Sequence, residues 1–124
     1  MKKDRPVNLN LTTISFPITA IVSILHRLSG VFLFLIIPVL LWLLEKSTFS
    51  EEGFLDLQDD FTSPLSKIII WIIVSALLYH LIAGIRHLFM DWGWCEERKS
   101  GRICAQITLA VSIIFAILVG VWLW

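Results

Sequence analysis

All three histidines of this 124-residue chain, together with Arg27 and Arg86, lie in or beside strongly apolar sequence. An ionisable side chain in hydrocarbon is costly, so such residues ordinarily face a protein interior, a cofactor or a water pocket. His80 and His87 are seven residues apart. On an α-helix that leaves them about 20° from a common stripe, two turns from one another. Ala76 and Gly84 fall about 40° to either side of His80, so small residues flank it. A neutral imidazole can give a nitrogen lone pair to heme iron, and small neighbours let a porphyrin approach the helix. A histidine hydrogen-bonded to another transmembrane helix would leave the same pattern. Spacing alone leaves both readings open.

A second cluster reads Ser23-Ile24-Leu25-His26-Arg27-Leu28-Ser29-Gly30. Ser23 and Arg27 are four apart and share a helix face. A hydroxyl and a guanidinium on one face could hold a quinone carbonyl, or Arg27 could neutralise a heme propionate. An arginine snorkelling to the lipid headgroups is the competing explanation. His26 is equally open.

The elements that must position these residues follow from composition. Hydrophobic residues make up 57% of the chain, too much for its polar surface to cover a water-soluble globule, so the bilayer is the expected solvent. A net charge of zero gives no sign of nucleic-acid binding. The chain reads as a single all-α membrane-anchor domain over 1–124, with transmembrane helices at about 18–45, 67–90 and 103–124 after a cytoplasmic segment 1–16. Each run is long enough to cross a hydrocarbon core of about 30 Å. The first should start near Pro17 and bend at Pro38. His80 then lies roughly 18 Å from the outer end of its helix, a little past the midplane. The six tryptophans cluster near span ends, as an interfacial belt would.

Lys2, Lys3, Arg5 and Arg27 mark the N-terminal side, and Arg98, Lys99 and Arg102 mark the second loop. The first loop is mainly acidic. The positive-inside rule therefore places the N-terminus in the cytoplasm and the C-terminus outside. The charged start MKKDRP lacks a closely following apolar run and a small-residue cleavage site, so it reads as retained. Cys95 and Cys104 fall near the cytoplasmic loop, where thiols stay reduced, and nothing in their spacing makes a metal site.

Two stretches carry a resemblance to a known family. The first runs from Arg5-Pro6-Val7 through Leu11 and Ile18 to Ser23-x-x-His26-Arg27-x-Ser29. The second is His80-x-x-x-Gly84-Ile85-Arg86-His87-Leu88-x-Met90-Asp91. Both resemble the signatures of the cytochrome b556 subunits of succinate dehydrogenase, the larger membrane anchors of complex II, without a departure, and the likeness extends over the whole chain. It implies a three-helix anchor in the bacterial inner membrane. That anchor forms a heme-binding bundle with a second small anchor, beneath an iron–sulfur subunit and a flavoprotein that oxidises succinate. His80 would be one axial ligand of heme b, the second anchor supplying the other. Ser23 and Arg27 would bind ubiquinone, and His26, Arg27, Arg86 and His87 would lie near the heme propionates or pocket. The chain would thus serve an oxidoreductase without itself holding the succinate-oxidising centre. A structural anchor without heme, or the anchor of a fumarate reductase, are the alternatives.

Overall fold

The computed structural model of the chain describes residues 14–124. Arg5, Pro6, Val7, Leu11 and the N-terminal lysines lie outside that range. Among the described residues the elements are all helical: α1 (Ile18–Phe49), α2 (Glu51–Asp60), α3 (Pro64–Asp91) and α4 (Arg98–Leu123). The three long helices are each apolar and long enough to cross a membrane. Pro17 caps α1 through its carbonyl, which accepts from the Ala20 and Ile21 N–H groups at 2.9 and 3.2 Å. The helix then runs unbroken through Pro38 for 32 residues. That is about 48 Å, well beyond the hydrocarbon thickness. Its end therefore carries Glu45 and Lys46 out of the apolar layer.

The acidic first loop contains a helix that hydropathy does not show. Ser50 Oγ accepts from the Gly53 N–H at 3.0 Å, and Glu51 and Glu52 occupy the first turn, where the helix dipole favours negative charge. A Cβ on Gly53 would meet the Lys46 carbonyl oxygen at 2.6 Å, so only glycine allows α2 to fold back so tightly on α1. Leu57 is buried by this packing.

The three spans meet at Val22, Ala83 and Ala105, which have no exposed surface and come one from each long helix. In a bilayer no hydrophobic force drives helices together, so close backbone approach between small residues must do much of the work. On α4 the buried row is Gly101, Ala105, Thr108 and Ser112. Its hydroxyls are satisfied within their own helix, Thr108 Oγ1 donating to Cys104 O at 2.9 Å and Ser112 Oγ to Thr108 O at 2.7 Å. Between helices, Tyr79 donates its hydroxyl proton to Val22 O at 2.8 Å. At the α2 end, Trp71 Nε1 donates to Ala116 O at the same distance.

The connection from α3 to α4 departs from expectation. Gly93 and Cys95 take left-handed backbone angles, φ 82° and 62°. They turn the chain back onto the first turns of α4, where Cys95 and Cys104 form a disulfide with their Cα atoms 6.2 Å apart. Two independent thiols were expected here. The reversal of the chain at Gly93–Cys95, which spacing does not reveal, is what brings them together. Gly101 completes the turn, since a Cβ there would meet the Cys95 carbonyl oxygen at 2.7 Å.

Candidate functional site

His80 lies on α3 opposite the His26–Gly30 turn of α1. Its ring stacks on that of His26, with centroids 4.2 Å apart and planes 17° apart. His87, two turns further along α3, places its ring 5.0 Å from His26 and tilted by 41°. His26 therefore sits between the two α3 histidines, joining the stripe that periodicity placed on one helix to a residue from another. The three imidazoles do not converge their nitrogens on a common point, and no group of metal-ligand side chains among the described residues could by itself enclose an ion.

The hydrogen bonding of His80 fixes its chemistry. Nδ1 lies 3.1 Å from the His26 carbonyl oxygen and 3.0 Å from Ser29 Oγ. Ser29 Oγ in turn donates to that same carbonyl at 2.8 Å. A carbonyl oxygen only accepts, so the neutral imidazole avoids lone-pair repulsion by carrying its proton on Nδ1. The lone pair then resides on Nε2. This is the arrangement found in metal-bound histidines, whose second nitrogen donates to a carbonyl or carboxylate that fixes tautomer and ring orientation. The residues present thus fit a heme iron ligand at His80. They provide one such ligand only, because His26, its ring stacked on that of His80, cannot present a nitrogen from the opposite side of a metal held at Nε2.

The small residue that makes the site possible is Gly30. A Cβ there would stand 3.0 Å from His80 Cε1, tighter than ordinary contact. Gly84, singled out by periodicity as the neighbour of His80, instead faces His26, its added Cβ falling at 3.5 Å from Nε2. The roles of Gly30 and of the His26 carbonyl are not legible in the sequence, because both depend on how α1 crosses α3. Ser29 stands out in the sequence only as part of a motif.

The other expected site residues separate. Ser23 is half-buried and Arg27 exposed, one turn apart on one face of α1 and to the same side of His26. Arg86 adjoins His87 in sequence but faces elsewhere. It is 5% exposed and lines a cavity of about 790 Å³ bounded by Thr19, Cys95, Arg98 and Arg102. The structure thus brings His26, His80 and His87 together and sends Arg86 towards the α3–α4 loop.

Fold and site define a three-span, all-α membrane protein with a cluster of imidazoles between two of its spans. Residues 1–119 match the succinate dehydrogenase/fumarate reductase transmembrane subunit family, and the chain belongs to that family. It is similar to the succinate dehydrogenase cytochrome b556 subunit of Coxiella burnetii, with 47% identity over the full length of both chains. The corresponding subunit of Paracoccus denitrificans is 34% identical, over 93% of this chain and 88% of its own. That of Rickettsia prowazekii is 33% identical, over 94% and 91%.

Proposed function

We propose that the chain is a cytochrome b anchor of succinate dehydrogenase, contributing His80 as one axial ligand of heme b and the Ser23–Arg27 face to a ubiquinone site. The observation carrying this reading is the Nδ1 hydrogen bonding of His80, which holds a lone pair on Nε2 at a half-buried helix crossing. The name cytochrome b556 borne by the relatives supports heme as the group concerned. Heme b, when bound, supplies one-electron redox chemistry. The protein's part is to orient that group and tune its electronics.

A second ligand for the heme would come from a second small anchor, since His26, stacked on His80, cannot approach the same iron from the other side. Iron–sulfur and flavoprotein subunits complete the assembly, in a bacterial inner membrane with the N-terminus of this chain cytoplasmic. Ser23 and Arg27 lie near the start of α1, on that cytoplasmic side. There they can donate hydrogen bonds to a quinone carbonyl within reach of protons from water. His26 and His87, whose rings neighbour one another beside His80, would then contact the heme edge. Arg27, on the exposed side of α1, would neutralise a propionate, whereas Arg86 lines the loop cavity.

The test is a reduced-minus-oxidised spectrum of the assembled complex carrying His80→Ala. We expect the b-type bands to be lost or strongly reduced; full heme content with an unchanged spectrum would reject His80 as ligand. For the quinone face, Arg27→Ala or Ser23→Ala should lower succinate–ubiquinone turnover at least tenfold while succinate oxidation with an artificial dye persists. Normal ubiquinone turnover in both variants would overturn that assignment.

A further inference from the structure

Ser29 has no role in the proposed ligand set, yet its hydroxyl stands at the centre of the hydrogen bonds that hold His80. We propose that Ser29 is a positioning residue that sets the rotation and donor strength of the His80 imidazole, an inference that rests on His80 being an iron ligand. The proton chain runs from His80 Nδ1–H to Ser29 Oγ at 3.0 Å and from the Ser29 hydroxyl to His26 O at 2.8 Å. The hydroxyl can accept the imidazole proton because its own is committed to the carbonyl, so the two bonds polarise one another in the same direction. The direct Nδ1 to His26 O approach, at 3.1 Å, is the longer of the two paths.

The ring is also confined sterically. Gly30, the next residue of α1, meets the Cε1 edge of the imidazole, and His26 covers one face. Rotation about the χ2 bond of His80 would carry Nδ1 away from both acceptors. Ser29 thus serves two ends. It fixes the plane of the imidazole, and it draws electron density into the ring by accepting the Nδ1 proton. A more electron-rich imidazole stabilises ferric over ferrous iron, so loss of this acceptor should raise the midpoint potential. Outer partners of this kind typically alter metal affinity or activity by about 10- to 100-fold.

The experiment is a redox titration and low-temperature electron paramagnetic resonance of the native four-subunit complex carrying Ser29→Ala, Ser29→Thr or Ser29→Cys. Ser29→Ala should raise the heme midpoint potential and shift the largest ferric g value, while Ser29→Thr, which keeps a hydroxyl, restores both towards wild type. Ser29→Cys, with a weaker acceptor, should fall between them, and it serves as the deciding variant if the alanine complex does not accumulate. Unshifted potential and g values in Ser29→Ala or Ser29→Cys would overturn the proposal. Equal shifts in the alanine and threonine variants would do the same, because packing rather than the hydroxyl would then be responsible. Failure of the underlying ligand assignment is separately visible: His80→Ala would retain its heme spectrum.

Discussion

The crossing of α1 with α3 and the packing of α4 against both are built on opposite principles. At the first, polar groups reach across: Tyr79 to the Val22 carbonyl, and His80 to Ser29 and the His26 carbonyl. Along α4, the buried hydroxyls of Thr108 and Ser112 turn back onto their own helix and leave the interface to Ala105, Gly101 and the small residues opposite. Trp71, at the α2 end, is the exception. Self-satisfied hydroxyls make a contact that is close but indifferent to rotation of any one side chain. Cross-helix bonds fix the angle of a particular ring. The α4 contact holds the bundle, and the α1–α3 crossing orients a functional group.

The largest effect should come from filling the crossing at Gly30. Gly30→Val puts branched carbons where even a Cβ would approach His80 Cε1 to 3.0 Å. The imidazole must swing away, and we expect heme content of the purified complex to fall at least tenfold. Gly84→Ala, whose Cβ would make an ordinary 3.5 Å contact with His26, should retain heme. Heme loss in the Gly84 variant with retention in the Gly30 variant would reverse the assignment of the two glycines. On the other side of the comparison, Ala105→Leu overfills the three-helix junction. It should destabilise by about 1–3 kcal/mol, seen as a lower unfolding temperature of the complex, with the spectrum of the remaining folded fraction unchanged. A spectral shift there would mean that the α4 contact also orients the site.

This division explains how far the sequence can be read. The three spans are legible because a 20-residue apolar run has few other uses, and His80 and His87 are legible as rare residues on one stripe. Helix α2 is not, because its ten residues are acidic and polar overall; its one signal is Ser50 before Glu51 and Glu52. The partners of His80 are hidden for another reason. A backbone carbonyl has no residue type, and the glycine that matters lies 50 positions away on another helix. The stripe rule points along α3 to Gly84, whereas tertiary packing selects Gly30. The Cys95–Cys104 pair is concealed in the same way, by two left-handed residues rather than by spacing.

The loop offers an intermediate test. The disulfide closes a loop of about ten residues, for which chain-entropy arguments give a stabilisation of roughly 2–3 kcal/mol. Cys95→Ser should lower the unfolding temperature under non-reducing conditions and leave it unchanged under reducing ones. Because the pair lies beyond the α1–α3 crossing, next to Arg86, the heme spectrum should not respond. Free reaction of both cysteines with a maleimide in the unreduced, folded complex would show that the bridge does not form.

The smallest effects belong to single cross-helix hydrogen bonds, and they divide the two regions most finely. Tyr79 and His80 are consecutive on α3, yet they bond to carbonyls of Val22 and His26, one turn apart on α1. Neighbours about 100° apart on one helix thereby straddle the other and lock its axial register. Tyr79→Phe removes one of the two locks, and Trp71→Phe removes the bond to Ala116 O. Each should cost only about 0.6 kcal/mol, the average for such bonds between transmembrane helices. Their consequences should nevertheless differ. Slippage of α1 along α3 moves the His26 carbonyl and Ser29 relative to Nδ1, so Tyr79→Phe should broaden or shift the ferric heme resonance. Trp71 anchors α4 at the far end, and its loss should leave that resonance in place. If two variants of equal stability cost shifted the resonance equally, register at the α1–α3 crossing would not be what orients His80.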